Sequence, residues 1–352
     1  MEGLNIDLSP LEDIWGDLYA QYDWLLQADY FDKSNLLNVE NFNLVGFFKS
    51  LLDYSMHEVN VAFFQFKSVL IFLLLVALYQ HIQEVFSDKY KKIANTVLKF
   101  VLIVQLFQLF VYYHNYTLDI LTRYMNVVVV LFPILLSMIT ITGALWNHAL
   151  FQPAIVFLIN ASYFFINAIS MPLITIGTIF GFLNKLTTDD LYTRMTAFIN
   201  KVAIWTLGGY FAFFLTLMSI QNVTLSFANG LFLRTTQSLV NHIPVIGTKF
   251  TDTMMSVIST LSIMRNSIGL LSIITLIIFV AFPVIKLGVV NFLFRLLTAV
   301  LQPVLKKDFI AVLDVFNTAT LNLLSVMFII AIMFIFTFFI ILFSSNMMLF
   351  TN

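Results

Sequence analysis

The chain has 352 residues, of which 60% are hydrophobic and only 11% are charged, and 39 of them are phenylalanines. A soluble domain is about half apolar and about a quarter charged, so this composition excludes a single soluble core. The apolar runs are near-continuous and about as long as the roughly 20 residues that a helix needs to cross a bilayer. The sequence therefore predicts an all-α, polytopic membrane protein.

The first 60 residues are acidic, although the net charge of the whole chain is only −1. Ser9-Pro10 is typical of a helix start, and apolar residues then recur at helical spacing. Lys and Arg are retained on the cytoplasmic side of membranes. We therefore predict that residues 1–60 form an amphipathic arm outside the bilayer, not in the cytoplasm, and that residues 61–352 form the transmembrane domain.

About seven spans are predicted from the apolar runs. They cover residues 61–79, 93–113, 126–146, 153–183, 202–221, 268–293 and 320–343. Pro172 predicts a kink or a tilt in the long fourth span, and Gly208-Gly209 predicts a close helix contact in the fifth.

The basic residues give an incomplete topology. The densest cluster, between the first two spans, predicts a cytoplasmic loop. If the N-terminus is outside, however, alternate counting places many other cations outside as well. These are Arg123, Lys185, Arg194, Lys201, Lys306 and Lys307.

The stretch 224–267 is too polar to lie against lipid and too apolar for an ordinary loop. Its centre is Ile243-Pro244-Val245-Ile246-Gly247. Proline lacks an amide hydrogen and glycine permits positive φ, so the chain should turn here. The stretch is either a re-entrant hairpin whose tip lines a pore or an interfacial helical hairpin. We favour the first, because Val245 and Ile246 would be unfavourably exposed in water.

Charged residues near this stretch are further candidates. Asp252 and Arg265 either pair across the hairpin or meet headgroups and solvent. Lys286 follows Pro283 by about one turn, where an ionisable group at membrane depth is a functional candidate unless it snorkels to the interface. The predicted pore or hinge residues are Pro244, Gly247, Asp252, Arg265, Pro283 and Lys286.

Two proline pairs share one spacing. Phe132-Pro133 precedes Gln152-Pro153 as Phe282-Pro283 precedes Gln302-Pro303. This match indicates either an internal repeat of the kind found in transporters or a coincidence of prolines at helix ends.

No motif indicates an enzyme. The five histidines are scattered, none has the spacing of a zinc site, and His57-Glu58 reads as a surface pair before the first span. With no cysteine, disulfides and thiolate metal sites are excluded. We expect no catalytic activity, cofactor or metal site, and no nucleic-acid partner.

Short motifs in and around the central stretch resemble a known family. They are Leu225-Ser226 through Gly230, Arg234-Thr235, Ile243 through Gly247, Asp252, Arg265 through Gly269, Phe282-Pro283 with Lys286, Gln302-Pro303 and, upstream, His57-Glu58, Pro133, Trp205 and Ser219-Ile220-Gln221. In this order and spacing they resemble the stage III sporulation protein AE family of endospore-forming bacteria. The resemblance covers residues 45–352.

The resemblance implies a permease-like subunit of the channel that links mother cell and forespore during engulfment. It also implies a place in the mother-cell membrane around the forespore. The implied partners are the other membrane proteins of the same operon, their ATPase and further copies of the chain. Family members usually begin with a cleavable signal peptide, which is missing here. Thr236-Gln237 stands where an alanine-lysine pair is common, and Asn222 where a glycine is common.

A self-contained secondary transporter is the alternative function. Transporters that couple to ions usually carry acidic residues at membrane depth. The acids after residue 60 all read as loop or interfacial residues, which favours the channel subunit.

Overall fold

A computed structural model describes residues 44–141, 156–187, 191–223 and 267–346, together with Gly16. Pro244, Gly247, Asp252 and Arg265 lie outside the described residues, as do Gln152-Pro153 and most of the acidic arm. Over the residues that are described the chain is helical, with no strand. The predicted all-α class is confirmed.

Six helices of the described part are long and apolar enough to cross a membrane. They are α1 (Leu44–Ile82), α2 (Asp88–Ile141), α3 (Val156–Leu186), α4 (Thr193–Val223), α5 (Ser267–Leu301) and α6 (Lys307–Asn346). Large apolar side chains are exposed on their outer faces, as expected of surfaces that contact lipid. Trp205, for example, is 79% exposed and Phe64 is 75% exposed.

Helix α1 passes residue 60 without a break, so the predicted arm and the first span share one helix from Leu44 onwards. Helix α2, of 54 residues, likewise joins the predicted second and third spans. The polar residues between those spans do not break it. Asp119 and Arg123 form an i, i+4 ion pair of 3.0 Å, and Thr122 donates a hydrogen bond to the carbonyl of Leu118. Such pairs stabilise a helix.

The helices form three antiparallel hairpins whose turns lie at one end of the molecule. Residues 83–87 join α1 to α2, residues 187–192 join α3 to α4, and residues 302–306 join α5 to α6. The Lys306 amide donates to Gln80 Oε1 at 3.0 Å, which connects the first turn to the third. Gly181, near the end of α3, contacts Val315, near the start of α6. We name this end, formed by the three turns, the turn end.

Helix directions follow from contacts along the bundle. Rings of α1 and α5 contact each other in the same order, Tyr54 stacked on Phe282 and Phe66 edge-to-face with Phe294, so these helices are parallel. Helix α4 runs parallel to α6, because Asn322 donates to Asn200 and Phe214 clusters with Met333 further along. The end of α4 and the start of α5 therefore both lie opposite the turn end.

Helix α3 departs from α geometry where the sequence predicts a kink or tilt. A π-helical segment, Ile166–Ser170, comes immediately before Pro172. The Ser170 hydroxyl is buried and has no hydrogen-bond partner among the residues that the structure describes. π-Bulges are a recognised cause of helix bending.

Glycines of α3 bring its backbone close to α4 and α6. A Cβ on Gly177 would stand 2.7 Å from Asn200 Oδ1, and a Cβ on Gly181 would stand 2.8 Å from Val315 Cγ1. The pair is a small-xxx-small seam of the kind that joins membrane helices. A Cβ on Gly209 would instead meet none of the described residues within 4 Å, so the contact predicted at Gly208-Gly209 is not seen at Gly209 in the described part of the chain.

Candidate functional site at the proline of helix α5

Pro283 lies in the interior of α5. Because proline has no amide hydrogen, the carbonyl four residues earlier, that of Phe279, loses its helical donor. The hydroxyl of Tyr124, on α2, points to this carbonyl at 3.3 Å and to the carbonyl of Val280 at 3.5 Å. A neighbouring helix thus satisfies the backbone group that the proline frees, as helix breaks in membranes require.

Aromatic rings hold the proline segment from three sides. Tyr124 stacks on Phe334 of α6, with centroids 4.8 Å apart, and contacts the ring of Phe279 at 4.9 Å. Phe282, fully buried, stacks on Tyr54 of α1 at 4.3 Å. The segment of α5 around Pro283 therefore contacts α1, α2 and α6 through aromatic rings.

A buried ion pair lies about one turn beyond the proline. Lys286 Nζ is 3.5 Å from Glu58 Oε1, and the two side chains are only 16% and 6% exposed. Tyr54 donates a hydrogen bond of 2.8 Å to the same carboxylate oxygen. The ammonium group also lies 5.0 Å from the centroid of the Tyr116 ring, within cation–π range. The pair links α1, α2 and α5.

The surroundings of the pair extend the link between α1 and α2. The Tyr113 hydroxyl, on α2, donates to Gln65 Oε1, on α1. At 1.5 Å per residue, the pair lies about 22 Å from the end of α5 and about 36 Å from the end of α1. Compared with the ~30 Å thickness of a bilayer's hydrocarbon core, the pair lies towards the end opposite the turn end.

Beyond the pair, α5 is fixed to α6 by buried amides and hydroxyls. Asn291 donates to Thr320 Oγ1 at 2.9 Å and to the carbonyl of Asn317 at 3.1 Å. Asn317 in turn donates to Thr298 Oγ1 at 3.1 Å. Polar bonds of this kind join helices where lipid offers no partner, so this half of α5 is anchored.

A small cavity lies next to the segment of α5 around Pro283. A cavity of about 50 Å³ is lined by Tyr124, Met125, Ile166, Met333 and Phe334, among others. Because close packing restricts side chains, the Tyr124 ring is less tightly confined on the side of this cavity.

Two of the six predicted site residues, Pro283 and Lys286, thus lie together in this site. The snorkelling alternative for Lys286 is replaced by its pairing with Glu58. Pro244, Gly247, Asp252 and Arg265 lie outside the described residues, so their role in a pore stays a prediction. The stretch that holds them leaves α4 and enters α5 at the same end of the bundle.

Glu58 was missed from the sequence. The sequence predicts that the first span begins at residue 61, so Glu58 precedes it and is predicted to form a surface pair with His57. The usable signal was Tyr54, four residues before Glu58, which places a hydroxyl donor on the same helical face. Asn291 and Asn317 were also not singled out, since an amide within an apolar run shows no partner in sequence.

Comparison with known proteins supports the resemblance found in the motifs. A model of the stage III sporulation protein AE family matches residues 28–345. The chain is 27% identical over 349 residues to "Stage III sporulation protein AE" of Bacillus subtilis (strain 168), an alignment that covers 97% of this chain and 87% of that protein. No solved structure matches the chain. The chain belongs to the stage III sporulation protein AE family.

Proposed function

We propose that the protein is a permease-like membrane subunit of the channel or secretion complex between mother cell and forespore. In this role it passes, or supports the passage of, small molecules or protein cargo. Family membership supports a role in sporulation, and the six apolar helices support a place in a membrane. The proposed partners are the other membrane proteins of the stage III sporulation operon, their ATPase and further copies of this chain, in the mother-cell membrane around the forespore.

The Glu58–Lys286 pair next to Pro283 is the observation that carries the permease-like part of the proposal. Burying two charges is costly unless they remain paired, so the pair favours one arrangement of α1 against α5. A bend at Pro283 would move Lys286 relative to Glu58 and exchange this arrangement for another. Two states of one helix pair are the minimum that gating requires.

The second candidate, a self-contained secondary transporter, gains support from Glu58. An acidic side chain at membrane depth is what coupling to an ion or proton usually needs. The sequence shows no such residue after position 60, but Glu58 comes just before it and is buried in α1, which supports this candidate.

Reconstitution separates the two candidates. For the channel subunit, the purified chain alone in liposomes is expected to show no solute flux. In sporulating cells, the chain is expected to co-purify with the operon's membrane proteins. Flux through the isolated chain that is lost in Glu58→Gln would instead support the transporter.

A genetic test addresses the site itself. In a spore-former whose own copy is replaced by this gene, Glu58→Gln and Lys286→Met should each block sporulation with the protein still in the membrane. The matched control is Asp119→Asn, which removes an exposed ion pair of little energetic value. Normal spore counts in both site variants would overturn the role given to the pair.

A further inference from the structure

Cations concentrate at the turn end. On the three hairpin turns and the adjoining helix ends lie Lys89, Lys91, Lys92, Lys99, Lys185, Arg194, Lys201, Lys306 and Lys307. The acids of the same segments are Glu84, Asp88, Asp189, Asp190, Asp308 and Asp314. Two cations are paired locally, Lys91 with Asp88 and Lys99 with Asp308. Lys89, Lys92, Lys306 and Lys307 are exposed, so the turn end presents net positive charge.

The acidic part of the chain precedes, in sequence, the helix end that lies opposite the turn end. Helix α1 begins there at Leu44. Glu2, Asp7, Glu12, Asp13, Asp17, Asp23, Asp29, Asp32 and Glu40 precede it in sequence, against Lys33. The described cations nearest this end are Lys49 on α1 and Arg123 on α2. In sequence, the stretch 224–266 adds Arg234, Lys249 and Arg265.

The continuity of α2 removes the conflict in the sequence-based topology. With α2 divided into two spans, Lys185, Arg194 and Lys201 fall on the side opposite Lys89 to Lys92. With α2 as a single helix from Asp88 to Ile141, the second turn lies on the same side as the first. The structure places the third turn, with Lys306 and Lys307, there as well.

We infer that the turn end faces the cytoplasm and contacts the anionic lipid headgroups of the inner leaflet. Short cytoplasmic loops are rich in Lys and Arg, and basic residues at a membrane surface are attracted to anionic lipids. The acidic arm then lies on the other side. The stretch 224–266 starts and ends on that side too, so it returns to the face that it leaves. The orientation follows from fold and charge, and it holds whether or not the protein conducts.

Single cysteines test the orientation cleanly, because the chain has no native cysteine. Ser87→Cys, Thr187→Cys and Gln302→Cys report on the turn end. Gly16→Cys, Thr224→Cys and Asn266→Cys report on the opposite side. In protoplasts of vegetative cells that express the gene, where the protein enters the surface membrane, a membrane-impermeant maleimide should label the second set on intact protoplasts and the first set only after permeabilisation. Labelling of the turn cysteines on intact protoplasts, or of Thr224→Cys and Asn266→Cys from different sides, would overturn the orientation.

The lipid contact has its own measurement. In detergent, added phosphatidylglycerol should raise the thermal unfolding midpoint more than phosphatidylcholine does, and high salt should reduce the difference. Lys306→Gln/Lys307→Gln should lose this phosphatidylglycerol-specific shift, whereas the equally charged control Lys49→Gln/Lys67→Gln should keep it. Equal shifts in both double variants would refute a headgroup contact at the turn end.

Discussion

Glu58 and Lys286 form a buried ion pair in which each is the other's counterion. An uncompensated charge in this environment is costly, whereas the pair is offset by mutual attraction, by the Tyr54 hydroxyl and by the Tyr116 ring. Replacing a whole buried pair with apolar groups is often neutral. The pair therefore specifies how α1 and α5 meet rather than how stable the fold is.

This difference predicts a non-additive pair of substitutions. Glu58→Gln leaves a buried ammonium without its counterion and should destabilise the fold by about 3–5 kcal/mol. Lys286→Met should cost a similar amount, while the double variant should recover most of the loss. Thermal unfolding in detergent measures all three proteins, with Asp119→Asn as an exposed control. Additive losses would mean that the two residues do not interact in solution.

At the scale of single residues, the sequence predicted Pro283 and Lys286 as site residues but not Glu58. Pro283 and Lys286 stand out because both are unusual within an apolar helix. Glu58 does not, since its burial depends on α1 extending to Leu44 and on the parallel register with α5. That register is a tertiary property, and nothing local in either segment encodes it.

Helix α5 consists of two parts that are held in different ways. From Asn291 to Thr298 it is bonded to α6 by side-chain amides and hydroxyls. At Pro283 it depends on the Tyr124 hydroxyl and on stacked rings. Proline inside a helix costs about 3 kcal/mol or more, so the contact from α2 compensates a specific weakness of α5.

A double-mutant cycle tests this compensation. Tyr124→Phe keeps the ring contacts but removes the donor to the carbonyl of Phe279, and should cost about 1–3 kcal/mol. In a Pro283→Ala background residue 283 has its own amide hydrogen, so the same change should cost clearly less. Unfolding midpoints of the four proteins give the coupling. An equal cost in both backgrounds would show that Tyr124 does not satisfy the freed carbonyl.

Helix α3 meets α4 and α6 through a glycine seam, Gly177 and Gly181, that the sequence analysis does not predict. Gly181→Leu should force α3 away from Val315, with a cost of about 1–3 kcal/mol or more, as expected for overpacking. Gly209→Leu is the matched control, because its side chain would enter open space. Val315→Ala should partly rescue Gly181→Leu. Comparable losses at the two glycines would contradict the seam.

The helical class and the approximate spans were predictable because apolar run length is a local property. The break between the second and third predicted spans was wrong, because polarity was taken as the end of a helix. Asp119 and Arg123 are polar, yet they pair within one helix. The side of every later turn depended on that one break, which is why the topology could not be settled from sequence.

At the scale of the whole molecule, a cross-link at the turn end and a cross-link next to Pro283 should affect transport differently. Lys99 and Asp308 are 3.5 Å apart at the turn end, and Glu58 and Lys286 are 3.5 Å apart at the hinge. Cysteines at either pair should join through a short bismaleimide, whereas Glu58→Cys/Asp308→Cys, at different levels of the bundle, should not. Joining the hinge pair fixes α5 to α1, so transport by the reconstituted complex should stop. Joining the turn pair should leave transport intact, because α2 and α6 are already linked there by the ion pair of Lys99 and Asp308. Loss of transport in both cross-linked proteins would show that motion is spread along the bundle rather than centred on Pro283.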